Sequence, residues 1–477
     1  MNCHQSPIPI SRRYFLRDCG VGVGKVAAAG LLTESLFGAS AVGAGDALAA
    51  KPAPSRPQAK AVIHLFMAGA PSQLELFDPK PTLAKLQGSP LPKSIIGDQR
   101  YAFIQPDAAV LGPQFEFAQH GQSGAVLGAP LEHLGKVADE ICFIKSVTTD
   151  QFNHAPAQIF FNTGFSQPGR PSMGSWALYG LGSETQNLPS FVVMSTGAGI
   201  SGGSALWSSG FLPTTYTGVL FRNGKEPILN VNTPEGISAA VQEDTFKLVN
   251  ELNVRRLAEI NDQEIATRIA SYEMAARLQT SAPELMDLKS ESKETLELYG
   301  CDPEKPSFAR ACLLARRMVE RGVRFINIYH SGWDAHTDVK GNTTNNCKAT
   351  DQGTAALLMD LKRSGLLDET LVVWGGEFGR TPMVETNPAL GRKAGRDHHP
   401  QAFTMWMAGG GIKGGMTYGA TDDFGFHITE NPVHVHDIQA TILHQLGFDH
   451  ERLTFHHAGR DFRLTDVHGH VVKDILA

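Results

Sequence analysis

The chain has 477 residues, of which 42% are hydrophobic and 19% charged, with a formal net charge of −6. That length allows one large sheet-based core, and the charge balance offers no basic stripe for nucleic acid. With 49 glycines and 27 prolines, many tight loops are expected, which suits an enzyme whose loops carry the chemistry.

At the N-terminus, Ser11-Arg12-Arg13-Tyr14-Phe15-Leu16-Arg17 matches the twin-arginine export pattern. A Gly/Ala-rich run follows over 20–32, and small residues near Ala47-Leu48-Ala49 offer a cleavage site. Residues 1–50 are therefore read as a leader that takes the chain through the twin-arginine translocation machinery to the periplasm or beyond. Residues 51–60 read as a linker and 61–477 as one domain. The leader's glycines argue against a stable membrane span, and no later stretch is long and apolar enough for one. Four cysteines lie beyond the leader, Cys142, Cys301, Cys312 and Cys347, at spacings that form neither a CxxC metal motif nor a dense disulfide framework. Pairing of Cys301 with Cys312 or Cys347 stays open.

The domain opens with an apolar run over 61–67, the pattern of a buried strand, ending in Ala68-Gly69-Ala70. Glu75 and Asp78 follow, either capping the Asp-Pro turn or facing a site at the strand end. A helix is expected over 129–138 and a strand over 141–144. Asn153 and His154 then lead into a short helix that stops at Gly164, with His154 near its N-terminus, where backbone N–H groups favour an anion. A polar loop carries Arg170, and a strand is expected over 191–194. From about 197 to 299 the texture changes to a Gly/Ser-rich loop and a long charged helical tract, read as an insertion packed on the sheet.

A helix over 308–321 leads into a strand over 325–329, after which come Asp334 and His336. Separated by one residue, these two can point the same way from an extended loop, and carboxylate with imidazole suits a divalent metal. A helix over 351–364 precedes a second buried strand, 371–374. Glu377 and Arg380 stand at its C-terminal end, and Asp397, His398 and His399 follow a loop later. Ligands of open α/β sheets bind beyond the carboxyl ends of the strands, so this cluster reads as a metal or oxyanion site. The glycines over 409–415 lack the spacing of a phosphate loop. His434, His436 and Asp437 precede a helix over 438–446 and include its cap, with a ligand role left open.

The leader, Gly332-Trp333-Asp334-Ala335-His336, Gly376-Glu377-Phe378-Gly379-Arg380-Thr381-Pro382 and Gly395-Arg396-Asp397-His398 together resemble a bacterial family of exported proteins termed domain of unknown function 1501. The likeness covers essentially the whole mature chain. That family in turn resembles the alkaline phosphatase and sulfatase superfamily. The resemblance implies a three-layer α/β fold, a mostly parallel central sheet with helices on both faces. It also implies one or two divalent ions (zinc, calcium or manganese) at the strand ends.

Carried over residue by residue, Asp334 and His336 stand where the superfamily has an Asp and a His after one strand. Glu377-Phe378-Gly379 replaces Asp-His-Gly after the next, keeping the carboxylate and losing the histidine. His398 or His399 fits the later histidine. His154-Ala155-Pro156 and Thr163-Gly164 match the spacing of the sulfatase nucleophile loop, which puts His154 at the nucleophile position and leaves formylglycine chemistry out of reach. Gly69-Ala70 replaces the usual aspartate pair after the first strand, with Glu75 or Asp78 as substitutes.

The resemblance thus implies an exported metal-dependent hydrolase of sulfate, phosphate or related esters. Asp334, His336, Glu377, Asp397, His398 and Asp78 are its expected metal ligands. His154 and Arg380 are the expected catalytic groups. Arg170, Asn153 and His399 are expected to bind an anionic ester or sulfated glycan. The alternative is an inactive protein of the same fold that binds an anionic glycan or a protein partner.

Overall fold

A computed structural model describes residues 48–477, apart from 100, 102–103, 106, 198, 225–227, 229–235, 261–262 and 388–390. All but the last three residues of the expected leader lie outside the described residues. The first strand, β1 (Ala61–Ala68), is buried along its whole length. Its side chains alternate between two cores: Ile63, Leu65 and Met67 on one side, Val62, Phe66 and Ala68 on the other. Burial on both faces is why the run is apolar throughout.

The strands β2 (Ile141–Thr148), β3 (Phe191–Thr196), β4 (Val219–Phe221), β5 (Phe325–Ser331) and β6 (Thr370–Gly375) follow. After them come β7 (Gly379–Asn387), β8 (Arg392–His399), β9 (Phe403–Ala408), β10 (Met416–Tyr418) and β11 (Val433–His434). The main sheet has nine strands in the order β10-β2-β9-β6-β1-β5-β3-β4, with β11 also on β2. β1 pairs in parallel with β5 and β6, and β3 in parallel with β5 and β4. Only β9 runs against its neighbours β2 and β6 among these pairings.

On one face pack α1 (His154–Thr163), α2 (Met173–Leu181) and α7 (Val435–Gln445), through Phe161, Trp176 and Ile442. On the other pack α5 (Phe308–Glu320), α6 (Val339–Arg363) and the end of α4 (Gln263–Met286), through Leu313, Leu357 and Leu285. This is the expected three-layer α/β architecture. The tract expected as an insertion contributes β4, at the edge of the sheet, and the pair α3 (Ala239–Ile260) and α4.

The structure differs from expectation at three places. The helix expected over 129–138 is a 3₁₀ turn, Leu134–Glu140. Helix α6 starts well before residue 351, because the Asp338 side chain caps it through Gly341 N–H. The polar Asn and Thr residues of its first turns had masked the apolar periodicity. The stretch between Gly379 and His399 is an antiparallel hairpin, β7–β8, where a loop was expected. Its buried positions carry Arg380, Glu385, Arg396 and Asp397, so no apolar alternation announces it.

The expected linker is tied down: Lys51 N–H donates to Leu181, and Gln58 and Ala59 N–H donate to Gln445. Cys142, Cys301, Cys312 and Cys347 are buried free thiols. No helix among the described residues is long and apolar enough to cross a membrane. His434 caps α7, and Asp437 returns the bond to its backbone.

Candidate metal centre

Because β1, β5 and β6 are adjacent and parallel, their C-terminal ends open onto one edge of the sheet. Gly69 and Ala70 follow β1, Asp334 and His336 follow β5, and Glu377 follows β6. His154 opens α1, and His398 lies near the end of β8. Ligand atoms of His154, Asp334, His336 and His398 all lie within 4.8 Å of one another. Asp334 Oδ1 is the common point, 3.1 Å from His154 Nε2, 3.0 Å from His336 Nε2 and 3.6 Å from His398 Nε2. His336 Nε2 and His398 Nε2 are 3.1 Å apart.

The other nitrogen of each ring is held from behind. His154 Nδ1 lies 2.7 Å from Glu377 Oε1, His336 Nδ1 bonds the Glu385 carboxylate, and His398 Nδ1 lies 2.7 Å from the Phe152 carbonyl. A carbonyl only accepts, so His398 carries its proton on Nδ1, and the carboxylate acceptors behind His154 and His336 favour a proton on Nδ1 there too. In its neutral form each ring would turn an Nε2 lone pair toward the neighbourhood of Asp334, although without an ion the carboxylates draw His154 and His336 toward the protonated form. Although His154 Nε2 is close to Asp334, the buried nitrogen has no partner in hydrogen-bonding geometry. Four potential donor atoms this close together form a candidate ligand set. Tetrahedral zinc with bonds of about 2.0–2.1 Å separates its ligands by about 3.3 Å, and the observed spacings bracket that.

The electrostatics agree. Burial opposes the charge on Asp334, yet the three histidines and Arg380 outweigh it and hold the carboxyl far below its usual range. Burial also opposes charging of His154, but Asp334 and Glu377 outweigh it and lift the ring to about 9. His336 is raised against burial by Asp334 and Glu385. His398 falls to about 4, first through burial and then through the nearby cations Arg380, His154 and His336. A divalent ion would replace the protons that this crowded cluster otherwise needs.

Arg380 is wholly buried and fully engaged. Its Nε donates to Ala70 O at 3.0 Å, Nη1 to Arg396 O at 3.1 Å, and Nη2 to both Gly69 O and Asp334 Oδ1, the latter at 2.7 Å. Gln73 clamps its backbone from both sides. Gly69 has φ of 109°, and a Cβ there would stand 2.5 Å from Asp334 N, so this close crossing of two loops requires glycine. Glu377 Oε1 also accepts from Gly69 N–H and from Gln158 Nε2, each at 3.0 Å. Below the hairpin, Arg396 Nη2 donates to Glu75 Oε1 at 2.7 Å, with both side chains fully buried.

Of the residues singled out from sequence, His154, Asp334, His336 and His398 come together, with Glu377 and Arg380 immediately behind them. Asp397 belongs to a neighbouring group with His336 and Glu385, and its carboxylate accepts from His398 N–H at 2.7 Å. Asp78 does not join them, because Lys80 at 3.0 Å, Lys145 and Thr421 hold it. His399 turns away to Tyr101 OH at 3.0 Å and the Phe426 carbonyl at 2.8 Å. Arg170 pairs with Asp466 at 3.1 Å and lies 4.0 Å over the Phe165 ring. Asn153 is the exposed residue before α1. Sequence reasoning missed Glu385, Gln158 and the Phe152 carbonyl. A backbone acceptor leaves no trace in residue type, and Glu385 sits within an unrecognised hairpin.

Among curated proteins, none matches the chain in sequence. Distant likeness to solved structures includes the following three. The lipoteichoic acid synthase LtaP from Listeria monocytogenes is 11% identical over 85% of this chain and 75% of that one, with a TM-score of 0.31. The alkaline phosphatase from the Antarctic bacterium TAB5 is 11% identical over 76% of this chain and 95% of that one, with a TM-score of 0.27. The PsFucS1 sulfatase from Pseudoalteromonas sp. is 11% identical over 82% of this chain and 68% of that one, with a TM-score of 0.35. At this distance the chemistry rests on the side chains alone. The family described as "Protein of unknown function (DUF1501)" matches residues 59–476, and the chain belongs to it.

Proposed function

We propose that this chain is an exported metal-dependent hydrolase that acts on a sulfate, phosphate or related ester. The observation that carries the reading is the convergence of three imidazole Nε2 atoms on Asp334 Oδ1, each ring locked through Nδ1. His154, Asp334, His336 and His398 would hold one ion. Three nitrogens and one carboxylate suit zinc better than calcium, which prefers six to eight oxygens. When bound, such an ion polarises an ester oxygen or acidifies a water.

The chain's own residues supply the frame. Glu377 and Glu385 keep protons on the outer nitrogens, as carboxylates behind histidine ligands do. Arg380 fixes Asp334 and the loop after β1, and so acts as a positioning residue rather than an anion clamp. The Asp334 side chain is the open member, 42% exposed, and substrate would approach over it. The twin-arginine leader supports export of the folded chain. The second reading, a non-catalytic protein binding an anionic glycan or a partner, draws on one observation: a histidine already tied to Glu377 fills the expected nucleophile position.

The test is turnover of sulfate and phosphate esters by zinc-loaded protein, with and without chelator, beside His336→Ala. Turnover that follows the metal and disappears in the variant supports the hydrolase. A fully loaded protein inert on both ester classes would leave the binding reading.

A further inference from the structure

We infer that Phe152 is a specificity residue: its ring walls the approach to Asp334 and receives the flat apolar face of a ring in the alcohol part of the ester. The inference rests on the proposed ester site and names the class of alcohol that site takes. Phe152 is 53% exposed. Among the described residues it is the only exposed large apolar side chain within two positions of a proposed ligand. Water is an unfavourable surrounding for an aromatic face, and a ring carried by the substrate would cover it.

The backbone fixes where this residue sits. The Phe152 carbonyl accepts from His398 Nδ1–H at 2.7 Å, which ties it to the centre through one of the four proposed ligands. Asn153, the next residue, is extended, with φ of −110° and ψ of 142°. Side chains that flank an extended residue project to the same side of the chain. Phe152 therefore shares a side with His154, whose Nε2 lies 3.1 Å from Asp334 Oδ1. Because the Asp334 side chain is the exposed member of the cluster, an anionic head seated there leaves the rest of the ester beside Phe152.

The test uses phosphonates, which present an anionic head but have no ester bond to hydrolyse. Zinc-loaded mature protein is titrated calorimetrically with methyl-, phenyl- and cyclohexylphosphonate. Phenylphosphonate is expected to bind about tenfold more tightly than methylphosphonate, the size of one aromatic contact. Phe152→Ala should erase that preference and Phe152→Tyr should keep it. Both variants should hold as much zinc as the wild type, because the group that His398 meets is a backbone carbonyl. A cyclohexyl group favoured as much as phenyl marks a saturated ring such as a sugar, and phenyl favoured over cyclohexyl marks an aromatic alcohol. Equal affinity for the methyl and ring compounds, or a ring preference that survives Phe152→Ala, would overturn the inference. Binding needs no turnover, so a ring preference in a protein inert on both ester classes would sustain this inference and count against the hydrolase reading alone.

Discussion

His336 Nε2 and His398 Nε2 face each other across 3.1 Å, a distance two imidazole nitrogens hold only by sharing a proton or a cation. His398 Nδ1–H donates a hydrogen bond to the Phe152 carbonyl, and burial with nearby positive charge disfavours a second proton on the ring. His336 is bound through Nδ1 to Glu385. With an ion present, both inner nitrogens would offer it a lone pair beside Asp334. That arrangement supports the proposed ligand role of the cluster and directs attention to what lies behind it.

Glu377→Gln and Glu385→Gln should each weaken zinc affinity by about 10- to 100-fold while the fold is retained, because an outer carboxylate sets the tautomer and basicity of its histidine. Competition titration against a chromophoric chelator measures this, with circular dichroism as the control for folding. Unchanged affinity in both variants would mean that the carboxylates serve the fold only.

Arg380 separates two accounts of the site. Its guanidinium reaches Gly69 O, Ala70 O, Arg396 O and Asp334, a fork that a lysine cannot reproduce. Arg380→Lys should therefore destabilise the protein by about 3–5 kcal/mol, the range for breaking a buried charged network, and weaken metal binding with it. Urea unfolding of the zinc-loaded protein reads the change. A variant of normal stability that shows only a raised KM would instead make Arg380 a substrate-binding group.

Stability should fall on mild acidification through His64. This ring is fully buried in β1 beside Phe161, with neither nitrogen in hydrogen-bonding geometry. Burial pushes its pKa down to about 4, against the opposing influence of Asn327. The unfolded chain takes up the proton near pH 6.5 and the folded chain only near 4, so stability is full above 6.5 and declines as pH falls toward 4. The loss from this ring is roughly 3 kcal/mol at most. His64→Phe should flatten that part of the curve and raise the melting temperature more at pH 5 than at pH 7.5, measured by calorimetry. Identical pH profiles for the two proteins would show that His64 is not the titrating group.

The scaffold was legible because its strands are buried on both faces. β1, β5 and β6 read as short apolar runs, and their parallel pairing brings the residues that follow them to one edge. Asp334 and His336 stood out through their spacing just past a strand. The hairpin did not, since Arg380, Glu385 and Arg396 occupy buried positions where apolar residues would mark a strand. The division into inner and outer groups was also hidden. Glu377 and His154 are 2.7 Å apart, and which of them turns toward Asp334 depends on side-chain geometry set by Gly69, Gln158 and the start of α1. Asp78 misled through its place after β1, because Lys145, distant in sequence, helps to neutralise it.

The most direct test of the account is the metal content of purified mature protein by elemental analysis after dialysis, set beside a folded His336→Ala/His398→Ala variant. Close to one zinc per chain, lost in the variant and accompanied by a fall in melting temperature on chelation, is the predicted result. Folded wild-type protein that holds no metal after incubation with zinc, or that holds as much in the variant, would contradict it.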